Sequence, residues 1–63
     1  MTKFEVNVID RWTADQLTKS AQTIIDNLEK LHPSTFKVVS AEVITWDERP
    51  SGVHHIMTLI CSY

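Results

Sequence analysis

The sequence predicts an α+β fold of βαββ order: a three-stranded antiparallel sheet, strand order 1-3-2, with one helix packed across one face. Three observations lead there. The stretch from Trp12 to Pro33 repeats its apolar residues at helical spacing. The segments on either side of it alternate apolar with polar or are rich in β-branched residues. The last segment, Val53 to Tyr63, contains no Asp, Glu, Lys or Arg, and an uncharged strand with apolar residues of both parities belongs inside a sheet rather than at its edge.

From Lys3 to Asp10 the chain alternates, which predicts a half-buried strand with Phe4, Val6 and Val8 toward the core and Glu5, Asn7 and Ile9 on the other side. The helix follows, its buried stripe formed by Leu17, Ala21, Ile24, Leu28 and Leu31 and widened by Ile25. Thr13 is the expected N-cap, with Gln16 placed for a capping box and Trp12 and Leu17 for a hydrophobic staple. Lys30 and His32 suit the negative end of the helix dipole, and Pro33 cannot continue the helix. Phe36 to Trp46 reads as the second strand, with Val39, Ala41 and Val43 toward the helix. Asp47 to Gly52 has turn chemistry and leads into the third strand. A crossover returns the second strand parallel to the first, and a hairpin then reverses the chain; placing the third strand between the other two makes every pairing antiparallel.

Composition narrows the function. Sixty-three residues form one domain, and a chain of that size buries only about 60% of the surface its unfolded state exposes. Such domains lean on disulfides, a metal or oligomerisation. Cys61 is the single cysteine, so no internal disulfide forms, and His32, His54, His55 and Cys61 do not fall at a chelating spacing. Association with further copies of the chain is the remaining route. The net charge is −2 and the six basic residues are scattered among eight acidic ones, so binding to a nucleic-acid polymer is not expected. There is no apolar run of membrane-spanning length and no basic leader, which points to a cytoplasmic protein without a membrane partner.

The sheet face away from the helix is where function is expected. Its apolar members are suited to pack against a second copy. Part of it can also form a ligand site, with Trp46 or Phe36 as an aromatic wall and Ser40, Asn7, Thr58 or Glu42 orienting a small molecule. Arg49, in the turn, could reach an anionic ligand or partner. Catalysis is not expected. His54 and His55 are neighbours on a strand and point to opposite faces. Cys61 and His55 are separated by roughly 20 Å of strand, and Glu42 has no second acid or nucleophile beside it. The leading expectation is a non-catalytic homo-oligomer that holds or sequesters a small aromatic or nucleotide-like ligand between subunits, with no cofactor identified. The alternative is a small interaction or inhibitor protein that docks a protein partner through the same face.

Ala41-Glu42-Val43 in the second strand and Met57-Thr58-Leu59 in the third, together with length and element order, resemble the dodecin family of small βαββ flavin-binding proteins. That resemblance implies a hollow homo-oligomer with ligands held between subunits on the open sheet face. At the position of that family's flavin-stacking Trp this chain has Ser40, and at the position of its flavin-contacting Gln it has Ile56, so those two contacts are not carried over. A helix followed by a hairpin ending in an apolar-aromatic strand is also similar to small sporulation-associated and phage-encoded βαββ proteins, which implies a bacterial or viral context.

Overall fold

Thr13 keeps an extended backbone while its side-chain oxygen accepts the Gln16 amide at 3.1 Å, the N-cap that the sequence marks. The helix it starts, α1 (Ala14–Leu31), follows the strand β1 (Phe4–Arg11) and precedes β2 (Lys37–Glu48) and β3 (Gly52–Ser62). This is a computed structural model, and it describes residues 2–63. At the other end of α1 the His32 amide donates to Leu28 O at 2.9 Å, and the His32 ring stacks on Tyr63 at 4.0 Å between centroids. Removing the cap in Thr13→Ala is expected to cost about 1 kcal/mol, measurable as a lower denaturant midpoint with an unchanged slope.

The strands pair in the order β1-β3-β2, all antiparallel, so the βαββ arrangement is as the sequence predicts. Gly52 opens β3 at φ +122°, a backbone conformation that side-chain-bearing residues rarely adopt, and it lies under the Trp12 ring.

The core lies between α1 and the β1–β3 half of the sheet. Ile9, Leu17 and Ala21 form one buried cluster and Leu28, Leu59 and Cys61 another, with Ile24 and Met57 packed against both. Leu59, at 1% exposure, is the largest side chain enclosed this way. Phe36 and Tyr63 close the second cluster. Leu31 therefore does not complete the stripe: it is exposed, and its end of the core is filled from the loop and the C-terminus instead.

The face of β1 is the reverse of the one its alternation predicts. Ile9 is the buried residue and pairs with Met57, while Phe4, Val6 and Val8 are exposed on the open side. Only two residues separate β1 from α1, so the residue that meets the first turns of the helix sits near the end of the strand, and Ile9 has the matching parity. A one-residue change of parity moves every side chain of a strand to the other face. The second departure is in β2, where the register shifts between Val38 and Ser40. Val38 thereby comes opposite Cys61, on the helix side.

α1 packs on β1 and β3 and scarcely touches β2. Nearly all of β2 is exposed, on both of its faces. The radius of gyration is 13.3 Å, whereas a compact chain of this length would have about 10.6 Å. The molecule is a thin plate of 46 × 17 × 10 Å.

Candidate functional site

Pairing register places the open face rung by rung. Val6, Ile60 and Ser40 stand side by side; then Val8, Thr58 and Glu42; then Asp10, Ile56 and Ile44; then His54 and Trp46. Rungs on one face are separated by roughly 7 Å along the strands and 5 Å across them. Val6, Val8, Ile44 and Trp46 are each more than half exposed, as is Phe4 at the near end. With β1 presenting its apolar side outward, this face is more hydrophobic than the sequence reading made it.

Four of the seven candidate residues meet on it. Trp46, Ser40, Glu42 and Thr58 lie on the open face, Glu42 directly opposite Thr58. The other three lie elsewhere. Asn7 follows the reversed parity of β1 to the helix side, where its amide donates to Glu5 at 3.1 Å. Phe36 precedes β2 and packs into the core beside Leu28, Leu59 and Cys61, so it is not an aromatic wall of the open face. Arg49 sits in the β2–β3 turn, exposed, with Nε 3.0 Å from Asp47.

One cluster on this face was not singled out from sequence as a unit. The His54 side chain is only 12% exposed. Its Nδ1 lies 2.5 Å from Asp10 Oδ1 and its Nε2 3.4 Å from Glu48 Oε2. The first is a hydrogen bond; the second is an ion-pair distance, and Nε2 has no hydrogen-bond partner among the described residues. Trp12 leans on the same ring at 5.2 Å, and Trp46 is its cross-strand neighbour. Both tryptophans thus frame one polar spot at the hairpin end of an apolar face. Asp10 was hidden because it reaches His54 across the sheet, forty-four positions away in the chain; only the strand order and register disclose it.

Concavity lies elsewhere. A shallow groove of about 370 Å³ runs between β1 and α1, lined by Asn7, Ile9, Arg11, Ser20, Thr23 and Ile24 along with Val8. Arg11 Nε donates to Ser20 Oγ at 3.1 Å across it. A second hollow of about 350 Å³ lies at the Ser62 end of the sheet, lined by Thr2, Ser34, Thr35, Lys37, Ser62 and Tyr63. Neither hollow includes Trp46, Glu42 or Thr58, so a ligand enclosed by those residues needs a second molecule as the other wall.

Cys61 is wholly buried and its thiol pKa is raised, first by that burial and then by the charge of Glu5. A raised folded-state pKa means that the thiol favours the native state below the ordinary cysteine range, and that this contribution is lost as pH rises through the raised value. Unfolding stability is therefore expected to fall at alkaline pH above about 8.5, and less steeply in Cys61→Val; thiol reagents should label Cys61 only when the protein unfolds.

Among the described residues, no group of His, Cys, Asp and Glu is placed to hold a metal ion, and no helix is long and apolar enough to cross a membrane. No family model, curated protein or solved structure matches this chain.

Proposed function

We propose that this protein is a non-catalytic homo-oligomer whose open sheet faces pack against one another and hold a small aromatic or nucleotide-like ligand at the seam. The observation that carries this reading is the exposed apolar surface of the open face, Phe4, Val6 and Val8 on β1 and Ile44 and Trp46 on β2, bridged on β3 by Ile60 and Ile56, on a sheet whose other side is only partly covered. Isolated exposed apolar residues are ordinary on a protein surface; a patch of them that spans a sheet face marks an interaction surface. Within the patch, Glu42 and Thr58 offer an acceptor and a donor beside one another, and Trp46 supplies a flat ring for stacking. A ligand edged by polar groups and faced by an indole would rest there under the second subunit.

The test pairs sizing with binding. Sedimentation of the purified chain is expected to give a mass above that of the monomer. Flavin mononucleotide and adenosine nucleotides, added in turn, are expected to include one that quenches Trp46 fluorescence, with the quenching lost in Trp46→Phe and kept in Trp12→Phe. A strict monomer that responds to none of these probes would overturn the reading. Native mass spectrometry of protein taken directly from cells separates it from the docking alternative, which requires a co-purifying foreign polypeptide on the same face.

A further inference from the structure

β2 is an edge strand with nothing beside it. Its inner edge is bonded to β3, its outer edge to no strand among the described residues, and α1 leaves both of its faces open. Long bare edges are liabilities that folded proteins shorten, charge, cover or pair. β1, the other edge, is managed: α1 packs over it and Arg11 ties it to Ser20 on the helix. β2 has no such cover, and from Val38 to Trp46 it carries one charged residue, Glu42.

We propose that β2 pairs edge to edge with β2 of a second copy of this chain, antiparallel about a two-fold axis perpendicular to the sheet, so that two three-stranded sheets become one of six strands. This joint is independent of the open-face packing and uses different atoms, the outward N–H and C=O groups of β2.

Two considerations favour a second copy as the occupant. The first is self-complementarity. Residues opposed across such an axis share a face, so one β2 residue must face its own mate. Placing Glu42 there would oppose two carboxylates, which is destabilising. Moving the axis by one residue to Val43 removes that clash. Val43 then meets Val43, Ala41 meets Thr45, Glu42 meets Ile44 and Ser40 meets Trp46, a β-branched centre flanked by no like charges. The whole paired stretch, Ser40 to Trp46, lies beyond the register shift at Val38, where β2 runs regularly against β3. It offers about one backbone hydrogen bond per paired position.

The second consideration is the shape of the single chain. A plate 10 Å thick, with a radius of gyration near that of a 100-residue domain (about 13 Å), is short of neighbours in its own plane as well as above it. Edge pairing supplies the in-plane neighbour, and the helices of both copies then lie on the same side of the joined sheet. Ala41, Val43 and Thr45 of each copy form the strip between them.

Val43 lies on the helix side, opposite Met57, and is 52% exposed in the single chain. Val43→Lys therefore sets two ammonium groups against each other at the axis without touching the open face. In the wild-type assembly, the outward-facing amides between Ser40 and Trp46 are expected to be protected from hydrogen exchange. Val43→Lys is expected to abolish that protection and halve the assembled mass, while the backbone NMR spectrum keeps its sheet pattern. Val8→Glu, on the open face, should leave the β2 protection in place, so loss of one joint is distinguishable from loss of the other. Free exchange of those amides in the wild-type assembly would overturn the proposal. So would an unchanged mass and protection in Val43→Lys, or protection that appears only when a foreign polypeptide co-purifies.

Discussion

Leu59→Ala is expected to leave the chain largely unfolded as an isolated protein at 25 °C. Leu59 sits in the central strand, paired to Asn7 on one side and Ala41 on the other, and is 1% exposed beneath Leu28. Truncating a buried leucine costs about 2–5 kcal/mol, the upper values applying where neighbours cannot collapse into the space. Here the neighbours are held from three sides: α1 above, with β1 and β2 flanking it. A domain of this size has a total stability of roughly 3–9 kcal/mol at 0.05–0.15 kcal/mol per residue, and among the described residues the buried apolar core is Ile9, Leu17, Ala21, Leu28, Leu59 and Cys61. One methyl-lined cavity is thus comparable to the whole margin. Circular dichroism at micromolar concentration should show loss of the helical signal, and Leu31→Ala, an exposed position in the same helix, should show almost none. Equal losses in the two variants would mean that the core is not where these contacts place it.

The same residues explain what could be read in advance and what could not. Helix boundaries and strand order follow from local chemistry: a hydroxyl at Thr13, Pro33 after the last turn, and an uncharged third strand that only a central position satisfies. The facing of β1 does not follow from alternation, because alternation says that two faces differ and not which of them the helix covers. Counting apolar residues favoured Phe4, Val6 and Val8 as core. The connection to α1 is short, however, and it sets Ile9 against Leu17 and Ala21, sending the more hydrophobic side outward. That inversion is informative in itself. It leaves exposed the apolar patch on which the proposed packing of open faces rests. The register shift at Val38 was illegible for another reason: no glycine or proline marks it.

The candidate site divides along the same line. Trp46, Ser40, Glu42 and Thr58 lie on strands whose relative parity the hairpin fixes, and they share a face. Alternation along β1 predicts Asn7 beside them, and the actual facing of β1 puts it on the helix side, opposite Leu59. The Asp10–His54–Glu48 contacts join three separate stretches of chain, the two sides of the β2–β3 turn and the end of β1. No local pattern encodes such a meeting; it follows once β3 is known to lie between the other strands.

Val8→Glu is expected to have the second large effect, on association rather than on the fold of the single chain. Val8 is 69% exposed there, beside Thr58 on the open face. For a residue so placed, a polar substitution changes the stability of a lone domain by about 0.5 kcal/mol or less. Glu42 lies two strands away on the same rung, at roughly 10 Å, where salt screens most of the repulsion. Packed against the apolar patch of a second copy, the same carboxylate is buried without a partner, which costs several kcal/mol. At 1.4 kcal/mol per tenfold, and with both subunits carrying the change, the association constant should fall by a factor of about 10³ or more. Sedimentation equilibrium reads this directly, and Val8→Ala provides the comparison in which apolar area is lost without a buried charge. Because assembly stabilises whatever it binds, the wild-type melting temperature should rise with protein concentration, and in Val8→Glu that rise should shrink to what β2 edge pairing alone supplies. An unchanged mass in Val8→Glu, with melting that depends on concentration equally in both proteins, would mean that the open face meets solvent, and the ligand seam would lose its second wall.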